Sequence, residues 1–175
     1  MPSEVIIPSF VVIVLLIISS IYVVSALSNV TSMLADALRT YNDNLAKLNS
    51  KVKIIDVNAT LIDNDTLYVI LLIENQGENP IYKMSECDLI VEYTALSGDI
   101  VSTRLKYGTE WRVKSIIIAG NYIVPFEERR VIGGSEIGVI EAVFKAVDID
   151  LSKPFRIVFA SQYGVRDYKW VIISA

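Results

Sequence analysis

Residues 53–81 read KIIDVNATLIDNDTLYVILLIENQGENPI, and this stretch sets the fold class. Its segments are short, rich in β-branched and aromatic residues, and bounded by Asn, Asp and Gly, which is how strands and their turns read. The same grammar runs to the C terminus. Strands are expected at 53–62, 66–74, 87–95, 100–107, 112–119, 137–147, 155–162 and 166–174, with 139–147 a short helix as the alternative. Eight short strands over about 120 residues fit an antiparallel β-sandwich, and seven or nine would fit it as well. Residues 122–130 hold Pro125 and the cluster Glu127-Glu128-Arg129-Arg130, so they read as an edge strand or a surface loop.

The connections carry a mechanism. Asp63-Asn64-Asp65, Asn75-Gln76-Gly77 and Ser97-Gly98-Asp99 can each supply the left-handed and Asx-turn conformations of a hairpin. Tyr163-Gly164, between two strongly β segments, predicts a terminal hairpin. Gly133-Gly134-Ser135 is a turn and not a phosphate loop, because no Lys-Ser/Thr follows and no parallel βα unit surrounds it.

N-terminal to this region the period changes. Leu27, Val30, Leu34, Leu38, Tyr41, Leu45, Leu48 and Val52 recur at spacings of three and four, one narrow apolar stripe of period near 3.5. Asp36, Arg39, Asn42, Asp43 and Lys47 occupy the other faces. Residues 29–52 therefore read as a helical stalk, with Leu34, Leu38, Tyr41, Leu45 and Leu48 expected to pair with a partner helix or to lie on the chain's own β domain.

Further back, no charged side chain occurs between Glu4 and Asp36, and residues 5–27 are almost wholly apolar. About 20 such residues span a hydrocarbon core of about 30 Å. Residues 1–28 are expected to be an uncleaved transmembrane anchor, with Val11, Val12, Ile13, Leu15, Leu16, Ile17 and Ile18 at its heart, followed by the stalk (29–52) and a β-sandwich domain (53–175). A cleaved secretory signal would open with a basic segment, whereas Met1-Pro2-Ser3-Glu4 has no Lys or Arg. Arg39 and Lys47 taken literally favour a cytoplasmic C-terminal domain, but Asp36 and Asp43 balance them and large domains translocate largely regardless of charge. The character of the domain places it outside the cytoplasm.

Composition narrows the chemistry. The net charge of −4 and the absence of a Lys/Arg cluster argue against a nucleic-acid partner. With no His and one Cys, the usual zinc and transition-metal spacings cannot be built, and Ser-His and Cys-His nucleophile pairs are excluded. Asp63, Asp65, Glu86 and Asp88 read as turn and strand residues, since the oxygen-rich calcium loop is missing. No cofactor, no metal and no enzymatic activity are expected. Cys87 reads as a small buried hydrophobe, and Trp111 and Trp170 as core or partly exposed interface residues. Three sequons occur at Asn29, Asn58 and Asn64. Asn29 falls too near the bilayer, which leaves Asn58 and Asn64 as possible N-glycosylation sites. An exposed sheet edge is the expected interaction surface.

The apolar helix, the polar stalk and the run Leu67-Tyr68-Val69-Ile70-Leu71-Leu72-Ile73-Glu74 entering Asn75-Gln76-Gly77-Glu78-Asn79-Pro80-Ile81, with Leu89-Ile90-Val91 as the next strand, resemble the archaellum accessory proteins of the FlaF and FlaG type, relatives of archaeal flagellins and type IV pilin-like proteins. The resemblance covers the whole architecture, and its local pattern covers about the first half of the β domain. It implies an immunoglobulin-like sandwich outside the membrane that acts as a stator of the archaeal swimming motor, binds the surface-layer protein, meets other archaellum components and forms homo- or hetero-oligomers. Archaellins and pilins carry a basic leader before the hydrophobic helix, and its absence here fits the FlaF and FlaG type better than the alternative, a filament subunit for motility or adhesion. A tethered enzyme or solute receptor is a third class, with no nucleophile, metal or phosphate signature behind it.

Overall fold

The computed structural model describes residues 3–63, 65–119 and 122–173, with side chains from residue 10 onward. The chain divides into two units, Met1–Asn44 and Leu45–Ala175. Helix α1 (Ser3–Leu48) forms the first, and its last turn belongs to the second. Among the described residues nine strands follow, β1 (Val52–Asp63), β2 (Thr66–Asn75), β3 (Asp88–Thr94), β4 (Ile100–Leu105), β5 (Trp111–Ile118), β6 (Tyr122–Pro125), β7 (Ile137–Lys145), β8 (Phe155–Ala160) and β9 (Arg166–Val171). A one-turn helix α2 (Phe126–Arg129) follows β6 directly.

The strands make two sheets with antiparallel pairing throughout, in the orders β1-β2-β7-β5-β6 and β4-β3-β8-β9. In immunoglobulin lettering these are A-B-E-D, extended by β6, and C′-C-F-G. The strand order thus gives an immunoglobulin-like β-sandwich preceded by one long helix. The alternative of a helix over 139–147 does not hold, since residues 139–145 lie in β7 and residue 147 is in the turn after it. The segment 122–130 is both an edge strand and a helical turn, because Pro125 has no N–H for the ladder and a ring already set for helical φ.

β2 shows how the core is filled. Leu67, Val69, Leu71 and Ile73 point inward and are buried, while Tyr68, Ile70, Leu72 and Glu74 line the outer face, the period-2 alternation of a pleated strand. The second sheet answers with Leu89, Val91, Phe155, Ile157 and Phe159. Trp111 fills the centre, edge-on to Tyr107 at 4.9 Å and to Phe159 at 6.2 Å between centroids. Its indole N–H donates to the Leu105 carbonyl at 3.1 Å, so the one polar atom of the ring stays satisfied at depth.

Two hairpin turns match their sequence reading, with Gly98 at φ 92° and Gly164 at φ 75°, where a side chain would be strained. The third differs. Asn75-Gln76-Gly77 joins no hairpin, since β2 pairs with β1 and β7 and the chain crosses to β3 in the other sheet. The helical period also stops earlier than the apolar stripe does. α1 ends at Leu48, and Val52 opens β1 with its side chain in the core.

Candidate functional site

From Phe10 to Leu27 the apolar side chains of α1 point to all sides. Val11, Val12, Ile13, Leu15, Leu16, Ile17 and Ile18 all lie on α1 and are all exposed. Two of the polar residues in this span add little to the burden of a lipid setting. Ser19 donates its hydroxyl to the Leu16 carbonyl at 3.0 Å and Ser20 to that of Ile17 at 2.8 Å, so both are satisfied within the helix. Within Phe10–Leu48 the helix holds a window long and apolar enough to cross a membrane. In the charged part of the same helix, Leu34, Leu38, Tyr41, Leu45 and Leu48 are all exposed as well.

The end of α1 is held by the Asn75–Asn79 loop. A helix leaves its last four carbonyls without intrahelical partners. Here the Asn79 side-chain amide donates to the Ala46 carbonyl at 2.8 Å, and the Glu78 N–H donates to the Asn49 carbonyl at 2.9 Å. Gln76 and Gly77 donate their N–H groups to the Lys51 carbonyl at 2.7 and 3.0 Å, and the Ser50 hydroxyl donates back to Ala46 at 2.6 Å. The loop is itself braced by buried Asn75, which donates to the carbonyls of Asn79 at 2.9 Å and Ile132 at 3.1 Å and accepts from the Gly77 N–H at 3.1 Å. Gly77 is required by proximity and not by its φ, because a Cβ there would lie 2.5 Å from the Lys51 nitrogen and 2.6 Å from the Asn49 oxygen.

The four sheet edges differ in how they are protected. β1 and β9 close on each other through side chains. Asp167 accepts from the Ile54 N–H at 2.8 Å, and Lys169 donates to the Ile55 carbonyl at 2.6 Å beside Asp56. Ile55 sits at a bulge in β1, which twists that edge. β6 is four residues long and stops at Pro125. β4 has none of these devices, as it runs Ile100-Val-Ser-Thr-Arg-Leu105 without proline and pairs with β3 in unbroken register. It is the open edge.

Two polar clusters mark the outer faces. On the first sheet, Glu141 accepts from Lys114 Nζ at 2.5 Å, from the Tyr68 hydroxyl at 3.0 Å and from Arg112 at 3.4 Å. The Lys114 ammonium foremost holds its carboxyl below the ordinary glutamate range, and desolvation, with the Glu141 carboxylate beside it, raises the Tyr68 phenol. On the second sheet, Arg156 binds Glu92 through two nitrogens and lies over the rings of Tyr168 and Trp170 at 5.6 and 5.8 Å. Trp170 is 58% exposed and Trp111 only 2%, so the two tryptophans divide between surface and core. Burial pushes the Cys87 thiol up to about 11, which keeps it protonated and inert at neutral pH.

Asn58 is exposed on β1, opposite Ile70 of β2. Asn64 lies outside the described residues. The clefts are open and shallow, from 220 to 460 Å³, and among the described residues no group of three or more His, Cys, Asp or Glu could hold a metal ion.

Two solved archaellum structures are similar to this chain. One is the archaellum periplasmic stator protein FlaG from Sulfolobus acidocaldarius, at 12% sequence identity and a TM-score of 0.44, over 70% of this chain and 99% of that one. The other is the archaellum periplasmic stator protein complex FlaF and FlaG from the same organism, at 14% identity and a TM-score of 0.44, over 69% of this chain and 87% of that one. No protein-family model matches the chain, and no curated protein matches it.

The side-chain closure of β1 on β9 and the loop that holds the end of α1 escaped sequence reasoning, because both rest on contacts between distant residues. One signal was present: an Asn-x-Gly that joins strands of two different sheets has no hairpin to turn, so its glycine needs another use.

Proposed function

We propose that this chain is a single-pass membrane protein whose sandwich stands outside the cytoplasm and serves, without catalysing a reaction, as a stator-type component of an archaellum-like motor. In this reading α1 fixes the protein in the membrane and the sandwich grips the surface-layer protein, alongside other archaellum components. The observation that supports it is the continuity of α1. One helix carries an uncharged, outward-facing apolar stretch and then a charged one, and its end is fastened into a sandwich with open clefts. Lipid is the solvent that an all-round apolar helix of this length requires. The surface-layer contact is assigned to the β4 edge, where unpaired backbone groups can take up a strand of the partner. Asn58 is the proposed glycan acceptor on the first sheet.

Native membranes test each part. The chain is expected in the membrane pellet after an alkaline wash, and its sandwich is expected to be digested by protease added to intact cells. Detergent extracts passed over the immobilised full chain are expected to retain the surface-layer protein, and substituting Ser102→Pro in β4 is expected to abolish that retention. An extract that leaves nothing from the surface layer on the resin removes the stator role and keeps the anchor. Recovery of the chain in sheared filaments makes it a filament subunit instead.

A further inference from the structure

The stripe on α1 has a register that assigns its partner. With Val24, Thr31, Leu38 and Leu45 at a positions, Leu27, Leu34, Tyr41 and Leu48 fall at d, one seam along a helix that is continuous over all of them. Every charged residue of the segment, Asp36, Arg39, Asp43 and Lys47, then falls at b, c or f, away from the seam. The e and g positions hold Ser28, Val30, Ala35, Ala37, Asn42 and Asn44, with no charge. Like charges facing each other at e and g would repel an identical helix, and with no charge at these positions an identical helix meets no such opposition. In the first half of the seam, β-branched Val24 and Thr31 at a with Leu27 and Leu34 at d follow the two-stranded, parallel pattern, and Leu38, Tyr41, Leu45 and Leu48 continue the apolar seam without adding to that preference.

The sandwich end of the helix leaves this seam open. The Asn75–Asn79 loop meets the helix end at Ala46 and Ser50, and Ser50 is buried. Leu45 and Leu48, on the other side of that last turn, are 38% and 79% exposed. The docking loop and the seam therefore use opposite faces of the same turn.

We propose that α1 pairs in parallel and in register with α1 of a second copy of this chain along residues 24–48. This rests on the anchor reading for its direction. Two helices inserted from the same side run the same way, and confinement to one membrane raises their effective concentration. At about 1.5 Å per residue the seam is roughly 36 Å long, and three and a half heptads alone in water would be marginal.

Cysteine crosslinking in native membranes reads the seam, because buried Cys87 gives a silent background. Single substitutions Leu38→Cys, Tyr41→Cys and Leu45→Cys are oxidised beside Asp36→Cys and Asp43→Cys. A disulfide needs Cα atoms within about 7 Å, met at a and d of a parallel pair and not at f. Dimer-mass bands at 38, 41 and 45 are expected with at least about tenfold the yield at 36 and 43. Equal yields around the helix, no dimer band, or a band containing a different chain each overturns the proposal. Fractionation of the same samples keeps the two readings apart. A chain in the pellet with no seam crosslink leaves the anchor standing and sinks the pairing. A chain in the supernatant that still crosslinks at 38, 41 and 45 does the reverse.

Discussion

Leu38 and Leu71 are the same side chain in opposite situations. Leu71 is 1% exposed between two sheets, and Leu38 is 55% exposed on a helix. In the sandwich, pleat alternation delivers every second side chain to a core that the chain supplies for itself. On α1, apolar residues face outward, and in the readings proposed above what covers them comes from elsewhere, lipid in the first half and a second helix in the next. The same composition therefore encodes self-sufficiency in one region and dependence in the other.

The comparison can be broken at its strongest point first. Leu71→Ala is expected to destabilise the sandwich by about 2–5 kcal/mol through lost burial and the cavity left behind, measured as thermal unfolding of the full chain in detergent. Leu38→Ala should leave that transition in place, and an equal effect of both would mean the stalk is part of the sandwich core. Leu16→Arg addresses the other half. An arginine at mid-helix costs about 2.5–3.5 kcal/mol of insertion, so the chain is expected to move from membrane pellet to supernatant or to degrade, with the detergent melting temperature of the sandwich unchanged.

Gly77→Ala sharpens the boundary between the two regions. Its Cβ would press on the backbone of residues 49–51, so about 1–3 kcal/mol should be lost. Hydrogen exchange should rise selectively at Gln76, Gly77 and Glu78, while β3 and β8 keep their protection.

The smallest expected effect is one of pH. Glu141 is held below its ordinary value, near 4.5, by Lys114, so its stabilisation is fully present above that value and is lost as pH falls through the folded one. Denaturant titrations should show wild-type stability declining down that acid limb. Glu141→Gln should be less stable at neutral pH and flatter below 4.5, and an unchanged acid limb would mean that the cluster carries none of it.

What the sequence made legible was whatever local pattern determines. Residues 66–74 read as a strand because β-branched and aromatic residues crowd between Asp65 and Asn75, and the strand order bore out the sandwich. Which of Leu71 and Leu72 faces the core was not legible, since an apolar run on both faces removes the alternation that would have told them apart. Trp111 and Trp170 were equivalent in sequence for a similar reason. The β1 and β9 closure through Asp167 and Lys169 links residues more than a hundred positions apart, beyond any window of local reading. The stripe that ran on to Val52 misled by four residues, because the same aliphatic spacing serves a helix face up to Leu48 and a strand's buried side after it.

The fastening beneath α1 also bears on how the molecule would carry load. A pull on the junction between α1 and β1 would act on the backbone at Ala46, Asn49 and Lys51, where one short loop supplies several hydrogen bonds. Several bonds to one loop would share such a load, so this collar would work as a strain relief, of the kind that keeps a pulled cable from tearing at its solder joint.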